Sequence, residues 1–337
     1  MIRGPGFATF MAVCFVWRAA AAPVEAALPQ DPATGVVDLE VALQPIEKQI
    51  SENNFEAAVT SLSEFLKTYP QVARAHYDLG YALFRTHKIG ASIQELSKAL
   101  QMNPNNAAAH KILGLDCTIV GRFDLAEVEL REAARLAPES AEIHYSLARV
   151  YYTRGVFPLA KTEFENAIRL NPSYMKAYNN LGLTMEVLGD NTAALKYYTT
   201  AIKLNEEQNL KSEWPYVYLT SYYNRREDYD NALLYAQKAL EVNPKSDQAY
   251  FQVAKAYRNQ REWQKAAEAA QKAIALNPRI AEFYYVLSLC LRKLGKAAES
   301  QAAMDQFEKV KRERESEEPA GRLLDQPPQE PLTATPP

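Results

Sequence analysis

Prolines stand at positions 70, 104, 138 and 172, and again at 244 and 278, so wherever no unit intervenes they are 34 residues apart. No other feature of the chain restricts its fold as tightly. A beat of this length marks a small structural unit that cannot cover its own apolar face and must stack on its neighbours. The step from Pro172 to Pro244 is 72, two beats with four residues to spare, and the surplus falls in the connection "EEQNLKSE" after Asn205.

With each proline at position 32, the units share the same residues at the same places. A ring occupies position 4: His76, His110, His144, Tyr178, Tyr216, Tyr250 and Tyr284. Position 8 is small (Gly80, Gly114, Ala148, Gly182), and so is position 20 (Ser92, Ala126, Ala160, Ala194). Positions 4, 7, 8 and 11 lie on one face of a helix, and 20, 24 and 27 on one face of a second. Two amphipathic helices per unit follow. Small side chains at 8 and 20 let the pair approach toward the lower end of the usual interaxial distance, about 8 Å. Gly121, Gly155, Gly189 and Gly295 at position 15 suit a left-handed turn that ends the first helix.

These residues resemble the tetratricopeptide repeat family. The resemblance implies an all-α, right-handed superhelical solenoid of about eight helix-turn-helix units over residues 39–311, with starts near 39, 73, 107, 141, 175, 213, 247 and 281. The first unit departs most, because Pro45 falls at its position 7 and predicts a first helix that is short or begins there. The last lacks the closing proline, and its second helix is expected to run on through "DQFEKVKRERESEE". Residues 312–337 read as a polar helix end and a Pro-rich tail with too few core residues to fold alone.

Residues 1–26, "MIRGPGFATFMAVCFVWRAAAAPVEA", carry Arg3, an apolar run and then small residues, the order of a secretory signal. The run is shorter than the roughly 20 apolar residues that a membrane-spanning helix needs. Cleavage after Ala21 or Ala26 fits, with an uncleaved membrane anchor as the alternative, and residues 27–38 form a linker. Secretion or a periplasmic location follows. Cys117 and Cys290 fall among core positions of distant units and read as buried small hydrophobes.

A net charge of -3 carries no excess of cations to attract nucleic acid. There is no phosphate loop, nucleophile elbow or zinc-type spacing, so no catalytic residue, metal or cofactor is expected. The three periodic histidines share a slot with tyrosines and read as packing, since rings one repeat apart cannot meet at one ion. Acidic residues are expected on solvent faces beside Lys or Arg.

Family resemblance implies that the first helices line a concave groove that binds peptides. Its outward positions supply Arg74, Tyr77, Asp78, Tyr81, Phe84 and Arg85 at the entrance, then Lys111, Leu115 and Ile119, then Tyr145, Arg149 and Tyr152. Further along come Asn179, Asn180, Tyr218, Arg225, Phe251, Lys255, Arg258 and Arg292. Asn179 and Asn180 resemble asparagines that grip a peptide backbone in some members, and Lys255 with Arg258 resembles half of a carboxylate clamp. No asparagine ladder accompanies them: position 6 holds Asp78, Ile112, Ser146, Tyr218, Gln252 and Val286 in the other units. The expected function is an exported scaffold or adaptor for a protein or peptide segment, acidic or C-terminal. The alternatives are a recruiting subunit for a separate enzyme such as a glycosyltransferase, and a carbohydrate or polymer binder on the aromatic groove.

Overall fold

The structure is a computed structural model that describes residues 39–316. Among these residues sixteen α-helices follow one another in pairs. The first four pairs are α1 (Leu39–Ser51) and α2 (Phe55–Thr68), α3 (Ala73–Arg85) and α4 (Ile89–Met102), α5 (Ala107–Ile119) and α6 (Phe123–Leu136), α7 (Ala141–Thr153) and α8 (Phe157–Leu170). The rest are α9 (Met175–Val187) and α10 (Asn191–Glu207), α11 (Trp214–Arg225) and α12 (Tyr229–Val242), α13 (Asp247–Asn259) and α14 (Trp263–Leu276), α15 (Ala281–Lys293) and α16 (Ala297–Ser316). The packing below lies within the compact unit that begins at Pro45. The proposed signal and linker, and the tail beyond Ser316, lie outside the described residues.

Close approach within each pair is set by positions 8 and 24. A Cβ placed on Gly80 would sit 2.7 Å from Leu96 Cγ, on Gly114 2.6 Å from Leu130 Cγ, and on Gly182 2.6 Å from Tyr198 Cε1. The position 24 side chain therefore fills the hollow that the missing Cβ leaves, and Leu96, Leu130 and Tyr198 have no exposed surface. Position 20 is also fully buried at Ser92, Ala126, Ala160, Ala194, Ala232 and Ala266.

Every first helix ends in a left-handed residue at position 15. Four are the expected glycines, and the other four are Asn53, His87, Glu227 and Arg261, with φ of 60°, 58°, 60° and 63°. The turn is thus a property of the hairpin that non-glycine residues also accept, at a strain of about 1 kcal/mol each. Pro45 does not shorten α1 as predicted; it sits inside a 13-residue helix. A proline removes one rung of the ladder, which a helix can tolerate where neighbours hold it.

The four surplus residues are absorbed at one joint. α10 has 17 residues where the second helices α2 to α14 otherwise have 14. The connection after it turns through Asn209 and Lys211, both left-handed. Buried Asn205 pins it, donating to Ser212 O at 2.9 Å and accepting from Ser212 N at 3.1 Å.

The ring slot at position 4 holds more than packing. His76 Nδ1 is 2.6 Å from Glu95 Oε2 and its Nε2 is 3.0 Å from Pro70 O. His110 repeats both distances with Glu129 and Pro104, and His144 with Glu163 and Pro138. Each ring ties its own second helix to the turn that precedes its unit. Cys117 and Cys290 are buried and free.

Candidate functional site

Helix contacts decide which face is available. Successive first helices touch one another at α3–α5, α5–α7, α7–α9, α11–α13 and α13–α15. That seam buries much of what the sequence assigned to an open entrance. Tyr81, Phe84, Leu115, Ile119 and Tyr145 are between 2% and 6% exposed and belong to the core. Position 6 is buried at Asp78, Ile112, Ser146, Asn180, Gln252 and Val286. The entrance in the early units is therefore a filled seam, because apolar side chains between neighbouring helices are more stable covered than wet.

The same seam takes the two asparagines. Asn180 donates to Tyr145 Oη at 3.2 Å and to Lys176 O at 3.0 Å, which spends both of its N–H groups. Asn179 is 1% exposed, and neither its amide nitrogen nor its oxygen has a partner. Arg149 stands over the Tyr145 ring at 5.8 Å from its centre, so Tyr145, Arg149 and Asn180 form one cluster between α7 and α9.

Acidic residues depart from expectation as well. Asp116 has no exposed surface and accepts from Ser92 Oγ at 2.5 Å, with its other oxygen unpartnered. Burial pushes its carboxyl up to about 8, against the Ser92 hydroxyl bond. Burial also pushes Asp78 up to about 7; Arg74 opposes the shift and Glu47 adds to it. Neither acid was legible as buried: Asp78 sits at a position that a groove would expose, and acids were expected on solvent faces.

The later first helices carry a different surface. Tyr218 on α11 is half-buried, stacked on Tyr198 with ring centres 6.3 Å apart and tilted against Trp214. Arg225, at the end of α11, reaches back to Glu186 on α9: its Nη2 is 2.5 Å from Oε2 and its Nε 3.1 Å from Oε1. Arg226 and the Tyr198 hydroxyl donate to the same carboxylate. α9 and α11 are packed less closely than the successive first helices from α3 to α9 and from α11 to α15, and this carboxylate bridges them. Asn224 joins α11 to α13 through Gln252, donating to its backbone O at 3.0 Å and its Oε1 at 3.2 Å. Glu186 is the important residue here that the sequence left without a partner; Tyr198, Arg225 and Arg226, 12 to 40 residues downstream, all supply one.

On α13, Lys255 and Arg258 lie half-buried one turn apart. Lys255 Nζ lies 5.5 Å from the centre of the Phe251 ring, which itself packs on Phe283 at 4.8 Å. Arg258 donates only to the neighbouring Asn259. Neither cation is paired with a carboxylate among the described residues. Burial, then Arg225, then Arg258 lower the pKa of the Lys255 ammonium, so the three cations feel one another. Arg292 on α15 is exposed, and no contact joins it to that trio. The structure thus brings together Arg225, Phe251, Lys255 and Arg258, and separately Tyr145, Arg149 and Asn180.

A tetratricopeptide repeat profile matches residues 50–107, 120–160 and 154–209, and the profile of subunit 3 of the anaphase-promoting complex, cyclosome, matches residues 225–307. No curated protein sequence matches the chain. Among solved structures, a tetratricopeptide repeat protein from Parabacteroides merdae is 16% identical with a TM-score of 0.63, covering 75% of this chain and 98% of its own. The APC/C hetero-tetramer Cut9-Hcn1 is 16% identical with a TM-score of 0.59, over 85% of this chain and 55% of that one. A MamA crystal structure is 25% identical with a TM-score of 0.46, over 49% and 96%. Among the described residues no helix is long and apolar enough to cross a membrane. The periodic sequence, the paired helices and the repeat profiles together make the chain a member of the tetratricopeptide repeat family.

Proposed function

We propose that the chain is an exported adaptor that holds an acidic segment of a partner protein, engaging a side-chain or terminal carboxylate with Arg225, Lys255 and Arg258. The observation that carries this reading is the pair of half-buried, carboxylate-free cations on α13. Gathering like charges away from water is unfavourable unless an anion completes the set. A guanidinium fork suits a carboxylate, and Phe251 gives the segment an apolar floor. Arg149 and Arg292 lie outside the trio and would extend the contact only for a longer segment.

Titration of a short acidic peptide, with its C-terminus free or amidated, tests the site. Charge reversal by Lys255→Glu with Arg258→Glu should weaken binding about tenfold or more, the equivalent of ~1.4 kcal/mol, without lowering the melting temperature. Unchanged affinity removes the reading. Export is tested by mass spectrometry of the mature amino terminus, expected at Ala22 or Ala27; a chain that keeps Met1 through Ala26 in the cytoplasm overturns it.

A further inference from the structure

The three histidine contacts have a proton requirement. A neutral imidazole donates from one nitrogen and accepts at the other. In His76, His110 and His144 both nitrogens face acceptors: a carboxylate oxygen at 2.6 Å and a backbone carbonyl at 3.0 Å. With the proton on Nδ1 alone, the Nε2 lone pair faces the proline carbonyl. With it on Nε2 alone, the Nδ1 lone pair faces the glutamate. Only the doubly protonated ring satisfies both contacts.

We propose that His76, His110 and His144, each held between a carboxylate and a backbone carbonyl, are imidazolium staples that stiffen the front repeats, α3 to α8, and that a staple is lost where its ring gives up one of the two N–H protons. The back repeats carry no such device, since Tyr178, Tyr216, Tyr250 and Tyr284 fill the slot. The partner position changes in step: Glu95, Glu129 and Glu163 are followed by Tyr197 and Tyr235, then Ala269 and Ala303. In the first tyrosine unit the two rings meet, Tyr178 and Tyr197 lying 6.3 Å apart.

The carboxylates around each ring favour the cation, and the neighbouring Lys and Arg oppose it. Around His76, Glu95 is shared with Lys98 of the same helix, and Lys67 of α2 lines the same cavity, about 720 Å³. Around His110, Glu129 is joined by Glu132, which is held by Arg135. Around His144, Glu163 also accepts from Asn166, and Arg135 is the α6 residue in the register of Lys67. For His110, burial lowers the pKa but is outweighed by the Glu129 bond, the Pro104 carbonyl and the charges of Glu129 and Glu132, so the net shift is upward. A histidine raised in the folded state contributes stability that is complete below its unfolded value, about 6.5, and is lost as pH climbs through the folded one.

The test is hydrogen exchange on the full chain at about pH 6 and pH 8.5, corrected for intrinsic rates, with Asp78→Asn and Asp116→Asn present so that those acids do not contribute. Protection in α3 to α8 should fall about tenfold more than in α11 to α14. Installing the tyrosine pairing (His76→Tyr with Glu95→Tyr, His110→Tyr with Glu129→Tyr, His144→Tyr with Glu163→Tyr) should erase the difference. An equal response in both halves, or a front-half response that survives the replacement, overturns the proposal. If the replaced chain does not fold, nitrogen NMR of the wild type decides: two N–H groups on each of the three rings at about pH 6 support it, and a ring with one overturns it.

Discussion

The Glu186 carboxylate and the Arg225 guanidinium meet in a two-pronged ion pair, Nη2 to Oε2 at 2.5 Å and Nε to Oε1 at 3.1 Å, that spans from α9 to α11. The acid is 9% exposed and the arginine 45%, so one partner is buried and the other half-wet. Removing the buried charge leaves Arg225 able to regain water, which holds the loss well below that of a fully buried pair. Glu186→Gln is expected to destabilise by about 1 to 2 kcal/mol. It also frees Arg225, so an acidic peptide should bind about threefold more tightly, the equivalent of ~0.7 kcal/mol. Thermal melts and peptide titration read both effects, and a peptide affinity that falls would place Glu186 among the groups that support binding.

Gly182→Ala tests the hollow at position 8. Its Cβ would lie 2.6 Å from a ring atom of Tyr198, which has no exposed surface and is held by Glu186. The ring cannot swing aside, so a loss of about 1 to 3 kcal/mol is expected from overpacking. Gly90→Ala is the control, since nothing lies within 4 Å of its Cβ. It should gain about 0.5 kcal/mol by restricting the unfolded chain. Denaturant midpoints for the two variants should move in opposite directions.

Asp116 supplies a pH test of the interior. Its carboxyl is raised to about 8 by burial, so the folded chain binds this proton more tightly than the unfolded chain, whose value is about 3.9. Stability from this group is complete below the unfolded value and declines as pH rises toward 8, by at most ~1.4 kcal/mol per pH unit. Asp116→Asn keeps a hydrogen-bonding partner for the Ser92 hydroxyl and removes the ionisation. Melting curves from about pH 5 to 8 should flatten in the variant relative to the parent; parallel curves would show that Asp116 is ionised in the fold.

Asn179 is buried with both polar atoms unpartnered. Such a group costs about 1 to 3 kcal/mol, and an apolar residue of similar size removes the cost. Asn179→Leu is expected to raise the melting temperature. A drop would show that the amide contributes a stabilising contact to the unliganded fold.

Much of this molecule is written in its spacing. The helix starts at Ala73, Ala107, Ala141, Met175, Asp247 and Ala281 coincide with the unit starts read from the prolines, because the period records where each hairpin must turn. The filling of the Gly182 hollow by Tyr198 was implied only as room for close approach, since a sequence shows that space is needed and not which side chain takes it. The early groove was misread for a related reason. Tyr81, Leu115 and Tyr145 are buried in the core, where Tyr81 meets Phe55 of α2 and Tyr145 meets Phe164 of α8, so second helices help to cover them. Polar networks were the least legible. The Glu that partners each histidine lies 19 residues downstream every time, a regularity visible in the letters once the slot is known to face the second helix.

The lengthened α10 has a consequence for any guest laid along the first helices. In a stack held together only by neighbours, an irregular joint leaves the rungs on either side evenly pitched. A strand that reaches from α7 to α13 therefore meets two regular ladders separated by one loosely packed step at α9–α11, which the Glu186 carboxylate spans. Recognition on either side adds as two short registers, and the length of the guest between them becomes a selectivity filter of its own.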